Sequence, residues 1–346
     1  MSTTLTQTPL LKLSGDLMSI LKPLNILLCS YNSKLRVPLN LPQKREVSYA
    51  ILEILVEASR VYPSWKVKLG NVGITREFKP AFGVAISSQD RHLYKFIYDV
   101  TDILRAETTQ YGEGIGLTIK YEGGAPFRVL GLILDSIYSD ADAETKYKHY
   151  TGLTSIEPMK PLELNLEESF EPSSTLRIIA YTASPARISI LSGEEAGVHD
   201  LSALVLDEVV VKMLKATRSI KVSLERSERS SPLVISSVTI YRSEVKAPHL
   251  DLCSVNREVG FGEVKLELEI CNHGSSRPDK LIISFIRRGE LIRTLHEDGR
   301  ELEPNARIRR EVRLPLNLVQ PGKDIVVRLI WTKLSRHWVI DKSITI

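Results

Sequence analysis

Val264-Lys265-Leu266-Glu267-Leu268-Glu269-Ile270 alternates apolar and charged residues without a break. Side chains of an extended chain point to opposite faces in turn, so this stretch builds a strand with one face dry and one wet. Ile220-Lys221-Val222-Ser223-Leu224-Glu225 repeats the pattern. Leu281–Ile286 and Ile325–Trp331 are denser apolar runs, suited to the inside of a sandwich. Further strands are predicted over Phe127–Leu134, Leu176–Ala180, Ala186–Leu191, Val205–Met213 and Leu233–Tyr241. Short gaps holding Gly, Pro, Asn and Asp separate them, which is the spacing of β-sandwiches rather than of alternating βα units. The expected class is therefore all-β.

Glu46–Val61 reads two ways. As a helix it aligns Val47, Ile51, Ile54, Leu55 and Ala58; as a strand it puts Ala50, Leu52, Ile54, Val56 and Ala58 on one face and Glu53 and Glu57 on the other. The flanking strands favour the strand. Tyr94-Lys-Phe-Ile-Tyr-Asp-Val-Thr-Asp-Ile-Leu104 ends a strand, turns on Asp99 and Thr101, and is expected to lead through a polar loop into Ile115–Tyr121. Asp and Thr side chains bond backbone donors and so fix a tight turn or a helix start. Leu10–Leu21 is expected as an arm or a short helix.

At 346 residues the chain has room for two or three domains. Its apolar share of 43% and charged share of 25% are those of a globular protein with a large core. Net charge is +4, mild for this length. Arg287, Arg288, Arg293, Arg307, Arg309, Arg310 and Arg313 make the tail locally basic, but Glu290, Glu297, Asp298, Glu301, Glu303 and Glu311 interleave with them. A nucleic-acid face needs one dominant sign, so no nucleic-acid partner is expected. No run approaches the roughly 18 apolar residues of a membrane span, and no basic segment followed by an apolar core marks a signal peptide. A cytoplasmic location follows if the chain begins where it is given, and a cell-surface one if a leader has been removed. The wealth of Ile, Val, Arg and Glu and the scarcity of Gln point toward a thermophile.

A boundary at Ala247-Pro248 divides the chain into an N-terminal arm (1–23), a jelly-roll-like region (24–247) and an immunoglobulin-like sandwich (248–346). The tail resembles the CARDB-like immunoglobulin-type modules of archaeal and bacterial surface proteins. The likeness runs through Pro248-His-Leu-Asp-Leu, Gly262 to Gly274 with its Asn272-His-Gly274 turn, Gly289, Leu302-Glu-Pro-Asn305 and a Val-rich closing strand. Asn305 stands where those modules carry Gly, and Asn tolerates the same left-handed backbone. The front resembles a galactose-binding-like jelly roll of uncharacterised archaeal surface proteins. Leu69-Gly-Asn71, Tyr98–Leu104 and Tyr121-Glu-Gly-Gly-Ala-Pro-Phe127 carry that likeness.

Candidate chemistry is sparse. Asp140-Ala-Asp142-Ala-Glu144 places alternating carboxylates that can converge on a structural Ca²⁺. Thr145 and Thr151 break the EF-hand pattern, and a solvated acidic loop is the plainer reading. The seven histidines show no zinc-ligand spacing. Gly-x-Ser-x-Gly and His-Glu-x-x-His are absent from the sequence. Gly112-Glu-Gly-Ile-Gly116 precedes a strand and does not join a strand to a helix, so it is no phosphate loop. Cys29, Cys253 and Cys271 read as buried small hydrophobes. Cys253 and Cys271 stand on strands that can be neighbours; a bond between them is expected in a hyperthermophile and not in a cytosolic mesophile. Tyr62, Trp65, Phe78, Phe82, Tyr147 and Tyr150 are the candidates for a sugar-stacking platform, since sugar sites combine ring faces with carboxylates.

The function expected from these residues is non-enzymatic: contact with a protein partner, or self-assembly, through sandwich surfaces and edge strands such as Val339–Ile346. A carbohydrate-binding module for cell-surface glycan, calcium-assisted at Asp140–Glu144, is the alternative.

Overall fold

The computed structural model describes residues 5–42, 45–59, 62–74, 79–86, 91–110, 115–158, 160–193, 195–227, 233–319, 322–334 and 336–346. Strand makes up 69% of the chain and helix 4%, an all-β fold against usual shares of about 20–25% strand and 30–35% helix. The chain divides into a unit ending at Glu244 and a second, Val245–Ile346.

The first unit holds two antiparallel sandwiches. In one, a five-stranded sheet runs in the order Asp16–Leu28, Phe127–Tyr138, Val47–Ala58, His92–Asp99, Phe82–Ala85. Its partner sheet runs Lys34–Pro38, Gly116–Tyr121, Trp65–Leu69, Val72–Gly73. Their facing side chains, among them Leu52, Ile54, Trp65, Phe96, Leu117 and Phe127, form one buried core. In the other sandwich a sheet centred on Ala143–Ile156, Leu233–Val245 and Thr175–Thr182 faces Leu162–Phe170, Thr217–Ser227, Ala186–Ser192 and Glu195–Leu201. Its core includes Leu176, Ile178, Ile188, Ile220 and Ile235.

The outer face of the five-stranded sheet packs on this second sandwich through Leu55, Leu93, Leu130 and Ile133 against Leu153, Ile179, Tyr181, Leu206 and Val234. The central strands are therefore covered on both sides. This explains why Phe127–Tyr138 reads as a near-continuous apolar run rather than an alternation. It also settles Glu46–Val61, where Val47–Ala58 is a strand. Its even-numbered positions from Ala50 to Ala58 enter the core, while Glu53 and Glu57 on the other face are also buried.

Two expectations are corrected. The short helix over Leu10–Leu21 is not found: Thr6–Gln7 and Leu11–Ser14 pair with Ala143–Ile156, and Asp16–Leu28 pairs with Phe127–Tyr138. The chain crosses from one sandwich to the other at Gly15, whose φ is +147° and where a Cβ would lie 2.2 Å from Tyr138 O. Only glycine fits that approach. The polar loop expected after Thr101 begins instead as a helix, Thr101–Gln110. Asp99 Oδ1 accepts from Thr101 N at 3.0 Å and Thr101 Oγ1 accepts from Ala50 N at 2.9 Å, while Leu104 is fully buried. The capping bonds and one apolar anchor hold a turn that would otherwise be solvated.

In the second unit, Leu250–Val259, Glu263–Asn272 and Arg307–Pro315 face Glu290–Asp298, Lys280–Arg287, Asp324–Lys333 and Arg336–Thr345. The sheets of three and four strands form an immunoglobulin-like sandwich over a core that includes Leu266, Ile283, Phe285, Leu329 and Trp331. The Asn-x-Gly turn does more than reverse the chain. Buried Asn272 accepts from His249 N (3.1 Å) and Gly274 N (2.9 Å) and donates to Ser276 O (2.8 Å) and Leu302 O (2.7 Å). A Cβ on Gly274 would stand 2.3 Å from His249 N and 2.4 Å from Ala247 O, so glycine is required there. The terminal strand Arg336–Thr345 pairs along its whole length with Asp324–Lys333 and so closes its own sheet.

Candidate functional site

Among the described residues, the rings drawn from the sequence as a sugar platform are not brought together at the surface. Trp65 is fully buried between Phe96 and Phe127, at ring distances of 4.7 and 5.5 Å. Tyr147 and Tyr150 are buried, Phe82 packs against the apolar layer between the sandwiches, and Tyr62 lies half-exposed, edge-on to Tyr94 at 5.2 Å. Phe78 falls outside the described residues. The rings are large apolar bodies, and burying them outweighs any stacking they offer at the surface.

The acidic run also stays apart. Asp140 closes its own turn, accepting from Asp142 N at 2.8 Å and pairing with Arg45 at 3.4 Å. Glu144 is exposed on a strand opposite Ser14. Among the described residues, the only group of three His, Cys, Asp or Glu ligand atoms lying within 4.8 Å of one another is Cys253, Cys271 and His273.

The densest polar chemistry lies buried in the first unit. Glu53 pairs with Lys95 Nζ at 2.9 Å and bonds His149 Nε2 at 2.9 Å and Thr151 Oγ1. A carboxylate only accepts, so His149 carries its proton on Nε2, with Nδ1 in contact with Thr239 Oγ1 at 2.9 Å. Lys95 Nζ also donates to Ser236 O at 2.6 Å. Alongside, Asp135 accepts from Arg177 Nη1 and Tyr147 Oη, both at 2.9 Å, and Arg177 Nε reaches Glu208. Burial alone would raise the Glu53 carboxyl, but Lys95 and His149 outweigh it and hold the group well below the usual carboxylate range. Burial and Asp135 push the Tyr147 hydroxyl far up. In composition this resembles a catalytic constellation. Glu53, Lys95 and His149 are each 0–1% exposed, however. A general acid or base must reach its substrate, so these buried groups act as a clasp that joins seven strands of two sheets. The period-2 reading put Glu53 on the second face of its strand, but its partners stand 42 to 98 residues away in sequence.

Two surface features remain. A cleft of about 650 Å³ opens where His92–Asp99 meets the helix Thr101–Gln110, lined by Lys79, Phe96, Tyr98, Asp99, Asp102 and Ile103 among others. The buried Tyr98 hydroxyl has no partner among the described residues, and burial pushes it up to about 12. The second feature is one end of the second unit. Leu316 N donates to Gly262 O at 3.0 Å, and Arg287 Nη1 donates to Leu318 O at 2.8 Å. These bonds draw the hairpin tip at 259–262, the short helix Leu316–Val319 and the turn at 287–290 together. Phe261 is fully exposed there, with Leu291 at 64%, Val259 at 54% and Leu318 at 45%. The sequence shows each residue singly and gives no sign that three separate connections present them at one end.

Elsewhere in that unit Cys253 and Cys271 are joined by a disulfide, their Cα atoms 6.0 Å apart, and His273 Nε2 lies 3.7 Å from Cys253 Sγ.

No family model matches the chain, and no curated protein matches it. Among solved structures, the Parabacteroides merdae β-glucuronidase aligns over 57% of this chain and 28% of its own, at 8% identity and a TM-score of 0.24. The Ruminococcus gnavus β-glucuronidase aligns over 58% and 35%, at 10% identity and a TM-score of 0.23. A putative β-galactosidase from Bacteroides fragilis covers 58% and 32%, at 10% identity and the same TM-score of 0.23. The chain thus spans about a third or less of the length of these proteins.

Proposed function

We propose that this chain is a non-enzymatic assembly protein that makes protein–protein contacts through its sandwich surfaces, with the Phe261 end of the second unit as the contact and a second copy as the partner. The observation that carries the reading is the grouping of Phe261, Val259, Leu291 and Leu318 at that end. Single exposed apolar residues are ordinary, but a group on adjoining segments costs hydration free energy unless something covers it. An exposed aromatic at a loop tip suits the role of anchor in such a contact. Light scattering after size exclusion, across a concentration series, tests it. The mass rises above 38.9 kDa with concentration, and Phe261→Ser returns it to that of the single chain. A constant single-chain mass for the unaltered protein overturns self-assembly.

A second reading, carbohydrate binding, is supported by the cleft at Tyr98, which Asp99 and Asp102 line together with apolar residues such as Ile74 and Ile103. Sugars present hydroxyls and apolar ring faces together. Titration with glycans by calorimetry, repeated with Asp102→Asn, decides it. Heat that is unaltered by the substitution places binding elsewhere.

A further inference from the structure

The group formed by Cys253, Cys271 and His273 is the one place among the described residues where three soft or borderline metal-ligand atoms converge. Three features of the strands build it. A β-bulge between the pairs Leu252↔Ile270 and Ser254↔Glu269 leaves Cys253 without a partner residue on the neighbouring strand, two positions along from the pair Asp251↔Cys271. Bulges re-aim the extra residue's side chain, and here it turns toward Cys271. His273 stands just past the end of the strand Glu263–Asn272, in the turn that Asn272 organises, and its Nε2 comes within 3.7 Å of Cys253 Sγ. The His273 backbone is held on either side. Its N donates to His249 O at 2.7 Å, and the Asn272 side chain accepts from Gly274 N at 2.9 Å.

We propose that Cys253, Cys271 and His273 form a redox-gated Zn²⁺ site, closed as the disulfide and open to metal when the disulfide is reduced. Reduction by a dithiol supplies two electrons and two protons. The Cys253–Cys271 bond breaks, each sulfur takes a proton, and the dithiol becomes a disulfide. Zn²⁺ then displaces both protons and binds two thiolates and the neutral imidazole. The separation of 3.7 Å between Cys253 Sγ and His273 Nε2 is close to the edge of a tetrahedron with Zn–S about 2.3 Å and Zn–N about 2.0–2.1 Å, which is about 3.5 Å. The two sulfurs move apart to about 3.8 Å on the same geometry. Cys253 and His273 are exposed and Cys271 is buried, so the fourth position faces solvent and takes water. Two thiolates and an imidazole select zinc over hard cations such as Ca²⁺ and Mg²⁺.

The test uses the full chain carrying Cys29→Ser, reduced with a phosphine that does not compete for metal, and Co²⁺ as the spectroscopic probe. The expected result is one Co²⁺ per chain with a thiolate-to-cobalt charge-transfer band, displaced by Zn²⁺ and absent from the oxidised protein. Cys253→Ser removes the band, and His273→Ala weakens binding by at least about tenfold, the loss that a missing supporting contact alone can cause. Both substitutions fall at exposed positions, and circular dichroism checks that the strands persist. The proposal is overturned by reduced protein that binds no stoichiometric cobalt, by a band that survives Cys253→Ser or is indifferent to His273→Ala, or by loss of the strand signal on reduction.

Discussion

Replacing Lys95 by Met removes one charge from the clasp and leaves Glu53 facing the interior of the first unit. Glu53 and Lys95 are 1% and 0% exposed, so water cannot take over as partner. Breaking a buried pair by removing one member costs about 3–5 kcal/mol, because the remaining charge is uncompensated. The loss of the Lys95 bond to Ser236 O, 2.6 Å, adds to it by leaving a buried carbonyl unpaired. The assay is native-state hydrogen exchange read by mass spectrometry on peptides covering Val47–Ala58 and Ala143–Ile156. Exchange by global opening follows the stability, and each 1.4 kcal/mol is tenfold, so protection should fall by about 100-fold to several thousand-fold. Peptides from Val245–Ile346 serve as the internal reference. The double variant Glu53→Gln/Lys95→Met removes both charges and should cost less than Lys95→Met alone. A loss below about tenfold in the single variant, or a double variant worse than the single, would refute the view of a charged, water-free clasp.

Two other expectations rest on the same kind of accounting. The Glu53 carboxyl is held below its unfolded value by Lys95 and His149 against the cost of burial. Its contribution is therefore fully present above the unfolded Glu value of about 4.3 and is lost as pH falls below it toward the folded-state value. Acid unfolding of the first unit should begin below about pH 5 and move to lower pH in Glu53→Gln/Lys95→Met; an unchanged acid midpoint would count against the assignment. In the second unit, Asn272→Ala deletes four hydrogen bonds and leaves buried backbone groups unpaired. That should cost about 3 kcal/mol or more and lower the melting temperature of the unit by more than about 10 °C. Fluorescence of Trp331 and Trp338 follows it, and Asn272→Asp should not rescue it, since a carboxylate cannot donate to Ser276 O and Leu302 O.

The all-β class and most of the strands are legible in the amino-acid order, because alternation is a local property. Val264–Ile270 can bury one face and wet the other only as an extended chain. The amino-acid order also shows that Asn272-His273-Gly274 turns and that Asp99 and Thr101 organise a chain reversal, since these are bonds between residues a few positions apart. Which surfaces lie inside is set by the packing of sheet on sheet. Trp65, Tyr147 and Tyr150 carry the residue types of a binding platform and are core, because the sheets that cover them come from distant parts of the chain. Glu53 and Glu57 look like a solvated face and are buried against a second sandwich. Thr101–Gln110 is short and polar enough to read as a loop, and Leu104 holds it as a helix only once a core exists to receive it. The bulge that turns Cys253 toward Cys271, and the two bonds that bring Phe261 and Leu318 to one end, depend on register between strands. Register is chosen by the whole sheet: shifting a strand by one residue sends every side chain to the other face, and no single segment contains the partner that prevents it.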